Sequence, residues 1–144
     1  MTMTGQPLTS GIDHIGLTVR DLNVTRDFFV NGLGWTQVGE RPSYPAAFVS
    51  DGHITLTLWQ VTNPDNYVKF DRKTGVGLHH LALRVGSEEA LQELFARISG
   101  WPGVVVEFAP ENQGVGPKRH TMLYEPGGIR LEFDFDPRIS LNRT

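Results

Sequence analysis

Four side chains in this sequence have the types and spacing to do chemistry together: His14, His80, Glu132 and His120. The two leading histidines stand 66 residues apart in matching segments, Ile12-Asp13-His14-Ile15-Gly16-Leu17-Thr18-Val19 and Leu78-His79-His80-Leu81-Ala82-Leu83-Arg84-Val85. The same offset pairs Asp21 with Ser87 and Phe29 with Phe95. A strand-then-helix unit present twice, with histidine at one place in each copy, implies two halves building one symmetric site. Each histidine alternates away from the Leu/Val face of its strand, beside a small residue, Gly16 or Ala82. In the final apolar run Ile129, Leu131, Phe133 and Phe135 alternate with Arg130, Glu132 and Asp134, so Glu132 also leaves the core face. Two imidazoles and a carboxylate on three such faces suit a 2-His-1-carboxylate metal site. That triad keeps coordination positions open for substrate, oxygen or water.

Other chemistry is excluded or weaker. Cysteine is absent, so disulfides, thiolate zinc sites and cysteine nucleophiles are ruled out, and a metal must be held by nitrogen and oxygen. His120 offers an imidazole that titrates near neutral pH, a general acid or base if it reaches the site. Otherwise it is a solvated residue following the basic pair Lys118-Arg119. A lone strand histidine is ordinarily a hydrogen-bonded core or surface group, and only the repeat-equivalent placement with Glu132 lifts His14 and His80 above that reading. His79 alternates to the core side or the sheet edge and reads as structural. His53 falls in a hairpin and reads as solvated. Thr55, Thr57 and Trp59 share the His/Glu side, either lining a pocket with Trp59 as its wall or making ordinary sheet or dimer contacts. Gly114 and Gly116 lack the strand-to-helix context of a phosphate loop.

The elements that must position these groups follow from periodicity. In the first half a strand over 12–19 leads to a helix capped by Asp21, with Val24, Phe28 and Phe29 at helical spacing and Gly32 and Gly34 ending it. Strands over 35–38, 46–49 and 54–59 follow, the last two joined at Asp51-Gly52. In the second half a strand over 78–85 leads to a helix capped by Ser87, with Leu91, Leu94, Phe95 and Ile98 as its stripe. Strands over 104–108, 119–124 and 129–135 complete it, the last pair turned by Glu125-Pro126-Gly127-Gly128. The expected fold is α+β: two βαβββ modules, 11–62 and 78–136, forming a cup-shaped mixed sheet around a cavity. A flexible leader (1–10), a linker or mobile flap (63–77) and a tail (137–144) surround them.

A chain of 144 residues suits one compact domain or two small packed modules. The net charge of −3, with no basic cluster, gives no case for nucleic acid. The leader has neither the charged start nor the apolar run of a signal peptide, and no later run is long enough for a bilayer. The expectation is a cytoplasmic protein without a membrane partner.

The sequence resembles the vicinal oxygen chelate superfamily, which includes glyoxalase I, extradiol dioxygenases, fosfomycin-resistance transferases, epimerases and bleomycin-resistance proteins. The residues that carry the resemblance are His14-Ile15-Gly16-Leu17-Thr18-Val19-Arg20-Asp21, Phe28-Phe29 with Gly32-Leu33-Gly34-Trp35, His80-Leu81-Ala82-Leu83, and Tyr124-Glu125-Pro126-Gly127-Gly128-Ile129-Arg130-Leu131-Glu132. They span nearly all of 11–136. The resemblance implies paired βαβββ modules around one divalent ion (Fe, Mn, Ni or Zn) held by His14, His80 and Glu132. Aligning Gly52 with Gly127 sets Thr57 at the fourth ligand position of glyoxalase-type sites, which threonine serves poorly, so three ligands are expected. Met122 aligns where the fosfomycin transferases carry a tyrosine near the metal, and joins Thr57 and Trp59 as a substrate-lining candidate. His120 and Tyr124 lie too close to Glu132 for the extradiol spacing. The resemblance further implies a homodimer with shared sites, His14 from one chain and His80 and Glu132 from the other. The function implied is bidentate oxygen chelation of a small oxygenated substrate, for lyase or isomerase chemistry or oxygen insertion. The alternative is a non-catalytic drug-binding protein of the bleomycin-resistance type.

Overall fold

The computed structural model describes residues 5–139; residues 1–4 of the expected leader and 140–144 of the expected tail lie outside the described residues. β1 (His14–Val19) buries Leu17 and Val19 and leaves His14, Gly16 and Thr18 on its exposed face. Asp21 then caps α1 (Leu22–Asp27), its Oδ1 accepting from the N–H groups of Asn23 and Val24 at 3.1 and 3.2 Å. These are donors that a helix start otherwise leaves unmet. The helix widens into a π turn over Phe28–Gly32, where the Leu33 N–H reaches the Phe28 carbonyl at 3.0 Å. That widening lets two adjacent rings, Phe28 and Phe29, both enter the core, edge to face with centroids 5.5 Å apart.

Three strands, β2 (Thr36–Arg41), β3 (Ala46–Ser50) and β4 (Thr55–Gln60), complete a sheet in the order β1-β4-β3-β2. Only β1 and β4 run parallel. The second module repeats this plan with β5 (Leu81–Arg84), α2 (Glu88–Ile98), β6 (Val105–Asn112), β7 (Arg119–Tyr124) and β8 (Arg130–Phe135) in the order β5-β8-β7-β6. Ser87 caps α2 through its Oγ, which accepts from the Ala90 N–H at 3.0 Å. The expected α+β fold of two βαβββ modules is borne out. Among the described residues, no helix is long and apolar enough to cross a membrane.

Strand register makes the internal repeat concrete. Gly16 stands beside Thr57 in one parallel pair, and Ala82 beside Glu132 in the other. Thr57 and Glu132 are therefore equivalent positions of the two modules. The second repeat differs in one respect: β5 begins only at Leu81, so His79 and His80 precede it. Gly77, at a φ of 135°, turns the chain just ahead of them. The alternation expected from residue 78 thus does not reach His79, which is exposed beside His80 rather than core-facing. His53 is exposed, with its N–H on the Asp51 carboxylate.

One apolar core runs through both modules, including Phe28, Phe29 and Leu58 from the first and Leu91, Ile98 and Leu131 from the second. A buried polar joint crosses the same boundary. The Thr25 hydroxyl donates to Glu125 Oε2 at 3.0 Å, and Glu125 also accepts from the N–H groups of Gly127 and Ile129 at 2.8 and 3.3 Å. Burial pushes the Glu125 carboxyl up, and these donors oppose it. Gly127 is required by close approach, because a Cβ there would lie 2.5 Å from both Glu125 Oε1 and Thr25 Oγ1. Thr25→Val keeps the shape and removes one donor from a buried carboxylate. It should cost about 2 kcal/mol in urea unfolding with an unchanged m-value. No loss of stability would mean that Glu125 does not depend on the contact.

Candidate metal centre

The second module gathers most of the candidate groups around one carboxylate. Alternation along β8 sends Leu131 and Phe133 to the core and Glu132 and Asp134 to the opposite face. On β7 the same rule buries Leu123 in the core and places His120 and Met122 beside Asp134 and Glu132, their cross-strand partners. Glu132 is only 4% exposed. Its Oε1 lies 3.3 Å from His80 Nε2 and its Oε2 lies 2.5 Å from His120 Nδ1. Met122 is buried alongside.

Asp134 is a member of this cluster that the sequence reading did not select. Ligand atoms of His120, Glu132 and Asp134 lie within 4.8 Å of one another. Lys118 Nζ is 3.1 Å from Asp134 Oδ2, while Oδ1 is buried without a partner among the described residues. Burial pushes the Asp134 carboxyl up and the Glu132 charge adds to this, while Lys118 works in the other direction. Asp134 was visible in the sequence on the Glu132 face, but an acidic residue near a strand end is usually solvated. Arg130 forks onto Glu107 at 2.9 and 2.8 Å, holding that carboxyl below its ordinary range. Arg72, from the segment 63–77, donates to the Tyr124 hydroxyl at 2.7 Å and fastens that segment to β7.

The first module presents a different surface at the equivalent positions. His14 lines a cavity of about 470 Å³ with Arg41, Phe48, Thr55, Thr57 and Trp59. Its imidazole is mostly exposed, with Nδ1 2.7 Å from the Asp13 carboxylate. Thr57 Oγ1 accepts from the Trp59 indole N–H at 2.9 Å. Tyr44 and Phe48 flank the Trp59 ring at 4.7 and 6.1 Å between centroids. A Cβ on Gly16 would come within 3.1 Å of Thr57 Oγ1, so glycine leaves the room that the indole and hydroxyl occupy.

His80, His120, Met122 and Glu132 thus come together in one module, and His14, Thr57 and Trp59 in the other. Among the described residues no hydrogen bond or ion pair joins His14 to His80 or Glu132 within the chain. The donor set fits a divalent cation: the His120 imidazole converges with the Glu132 and Asp134 carboxylates, His80 Nε2 meets Glu132 Oε1 at 3.3 Å, and a buried carboxylate oxygen stands unmatched among the described residues.

Paired βαβββ modules, each headed by a histidine, with a buried glutamate on the last strand define a two-module α+β class of protein. The family model of the Glyoxalase/Bleomycin resistance protein/Dioxygenase superfamily matches residues 11–133, and the chain belongs to this superfamily. It is 30% identical over 131 residues to the uncharacterized protein YwkD of Bacillus subtilis (strain 168), covering 87% of this chain and 96% of that one. It is 28% identical over 154 residues to 2-epi-5-epi-valiolone epimerase of Actinomyces sp., covering 92% and 82%. The fold resembles a glyoxylase/bleomycin resistance protein/dioxygenase domain from Frankia sp. EAN1pec, with a TM-score of 0.75 at 24% identity over 89% and 93% of the two chains.

Proposed function

We propose that this chain is a divalent-metal enzyme that moves a proton next to a carbonyl in a small, oxygen-rich organic molecule. The observation that carries the reading is Glu132, buried with an imidazole at each of its two oxygens. His80 and Glu132 are the ligands from one chain, and His14 comes from the first module of a second copy, in a homodimer with shared sites. When bound, a divalent ion (Fe, Mn, Ni or Zn) supplies a Lewis acid for two neighbouring substrate oxygens and for the anion left by proton removal. His120 rests its Nδ1 on Glu132, which orients the ring and makes Nε2 the atom that exchanges a proton with substrate. Thr57, Trp59 and Met122 line the substrate, with Tyr44 and Phe48 against the Trp59 ring forming an aromatic wall on the His14 side. The similarity to an epimerase supports proton transfer over oxygen insertion.

The test is proton NMR in deuterium oxide on a panel of small α-hydroxycarbonyl compounds. Deuterium should enter at the carbon beside the carbonyl and stop doing so after chelation. Oxygen consumption without exchange would place the chemistry in the dioxygenase branch instead. The same aromatic cluster, with Thr57 committed to Trp59, favours a second reading, a drug-binding protein without turnover. That reading predicts stoichiometric binding indifferent to chelators.

A further inference from the structure

The first module offers His14 but carries no carboxylate at the position equivalent to Glu132. Thr57, equivalent in register to Glu132, has its hydroxyl engaged by the Trp59 indole. β8 carries a donor that makes up the count. We propose that Asp134 is a further metal ligand, on the same chain as His80 and Glu132; the inference rests on the metal reading above.

Three observations support it. Asp134 is 8% exposed, and its Oδ1 is the one buried side-chain polar atom without a hydrogen-bond partner among the described residues. An unmet buried acceptor costs free energy, so native structures rarely keep one without a purpose. Position is the second. A ligand atom of Asp134 lies within 4.8 Å of one on Glu132 and one on His120. Two oxygens bound to a single ion at roughly 2.0–2.2 Å stand at most about 4.4 Å apart, so this separation is close to what one ion spans. Charge is the third. Two buried carboxylates side by side repel, and Lys118 answers only Asp134 Oδ2, at 3.1 Å. Arg84, the cross-strand neighbour of Asp134 on β5, is exposed and forms no ion pair with it. A divalent cation between Glu132 and Asp134 supplies the missing positive charge and a partner for Oδ1 together. Lys118 anchors the far oxygen and so fixes which way the carboxylate presents itself.

Calorimetric Mn²⁺ titration of the full-length wild type, Asp134→Asn and His80→Ala tests this, with melting curves of each metal-free protein as the folding control. Asp134→Asn should keep the metal-free melting temperature and bind Mn²⁺ at least about tenfold more weakly, a loss at or beyond that of an outer-shell change. Asp134→Cys loaded with Co²⁺ provides a second readout. The natural chain has no cysteine, so a thiolate-to-cobalt charge-transfer band in the near ultraviolet can come only from position 134. Unchanged Mn²⁺ affinity in Asp134→Asn, or bound Co²⁺ without that band in Asp134→Cys, overturns the assignment. If that happens while His80→Ala loses the metal, the metal site stands and only Asp134 falls. If wild type and His80→Ala bind equally, or neither binds, the metal site itself fails and Asp134 with it.

Discussion

Glu132→Gln should abolish divalent-metal binding while the metal-free chain still folds. The carboxylate is nearly sealed from water, touches His80 with one oxygen and His120 with the other, and lies beside the Asp134 carboxyl. Glutamine matches its shape but carries no charge and turns one acceptor into a donor. A ligand amide is a poor substitute for a carboxylate at a divalent ion, so the loss of affinity should exceed the roughly ten- to hundredfold seen for outer-shell partners. The metal-free protein loses a like-charge neighbour of Asp134, and its melting temperature should hold or rise. Calorimetry with Mn²⁺ and Zn²⁺, beside thermal melting, measures both sides. Retained affinity in a folded Glu132→Gln protein would remove Glu132 from the site.

Two inactive chains, mixed, should recover activity. His14 and its aromatic cavity lie in one module and His80 with Glu132 in the other, with no hydrogen bond or ion pair between the sets among the described residues. If the site forms between copies, a twofold dimer of His14→Ala with His80→Ala carries one intact site and one doubly altered site. Random re-association makes half the dimers mixed, so activity should reach roughly a quarter of wild type. Each variant alone should stay inactive. If the mixture stays inactive although mass spectrometry shows mixed dimers, each site belongs to a single chain.

Much of this arrangement was legible in the sequence because it rests on short-range alternation. Leu17 and Val19 on one side of β1, and Leu131 and Phe133 on one side of β8, send His14 and Glu132 to the other. The equivalence of Thr57 and Glu132 followed from aligning two turns, since register is set by the turn that closes each hairpin. The contact between His120 and Glu132 was harder to read. It depends on Tyr124 pairing with Arg130 across the 125–128 turn, which brings His120 level with Asp134. The π turn at Phe28–Gly32 has no local signature, because it answers to the burial of two adjacent rings in a core shared by both modules. The role of Asp134 depends on burial by neighbouring strands, which a one-dimensional pattern of charges does not record.

If Glu132 and His80 hold a divalent ion, metal travels with the purified chain, and its content per chain is the decisive measurement. Wild type and His80→Ala should be purified without chelator or nickel affinity and measured by mass spectrometry. Wild type should carry near-stoichiometric iron, manganese, nickel or zinc, largely lost from the mutant. Wild type and mutant equally empty, even after reconstitution with those metals, would contradict metal binding by Glu132 and His80.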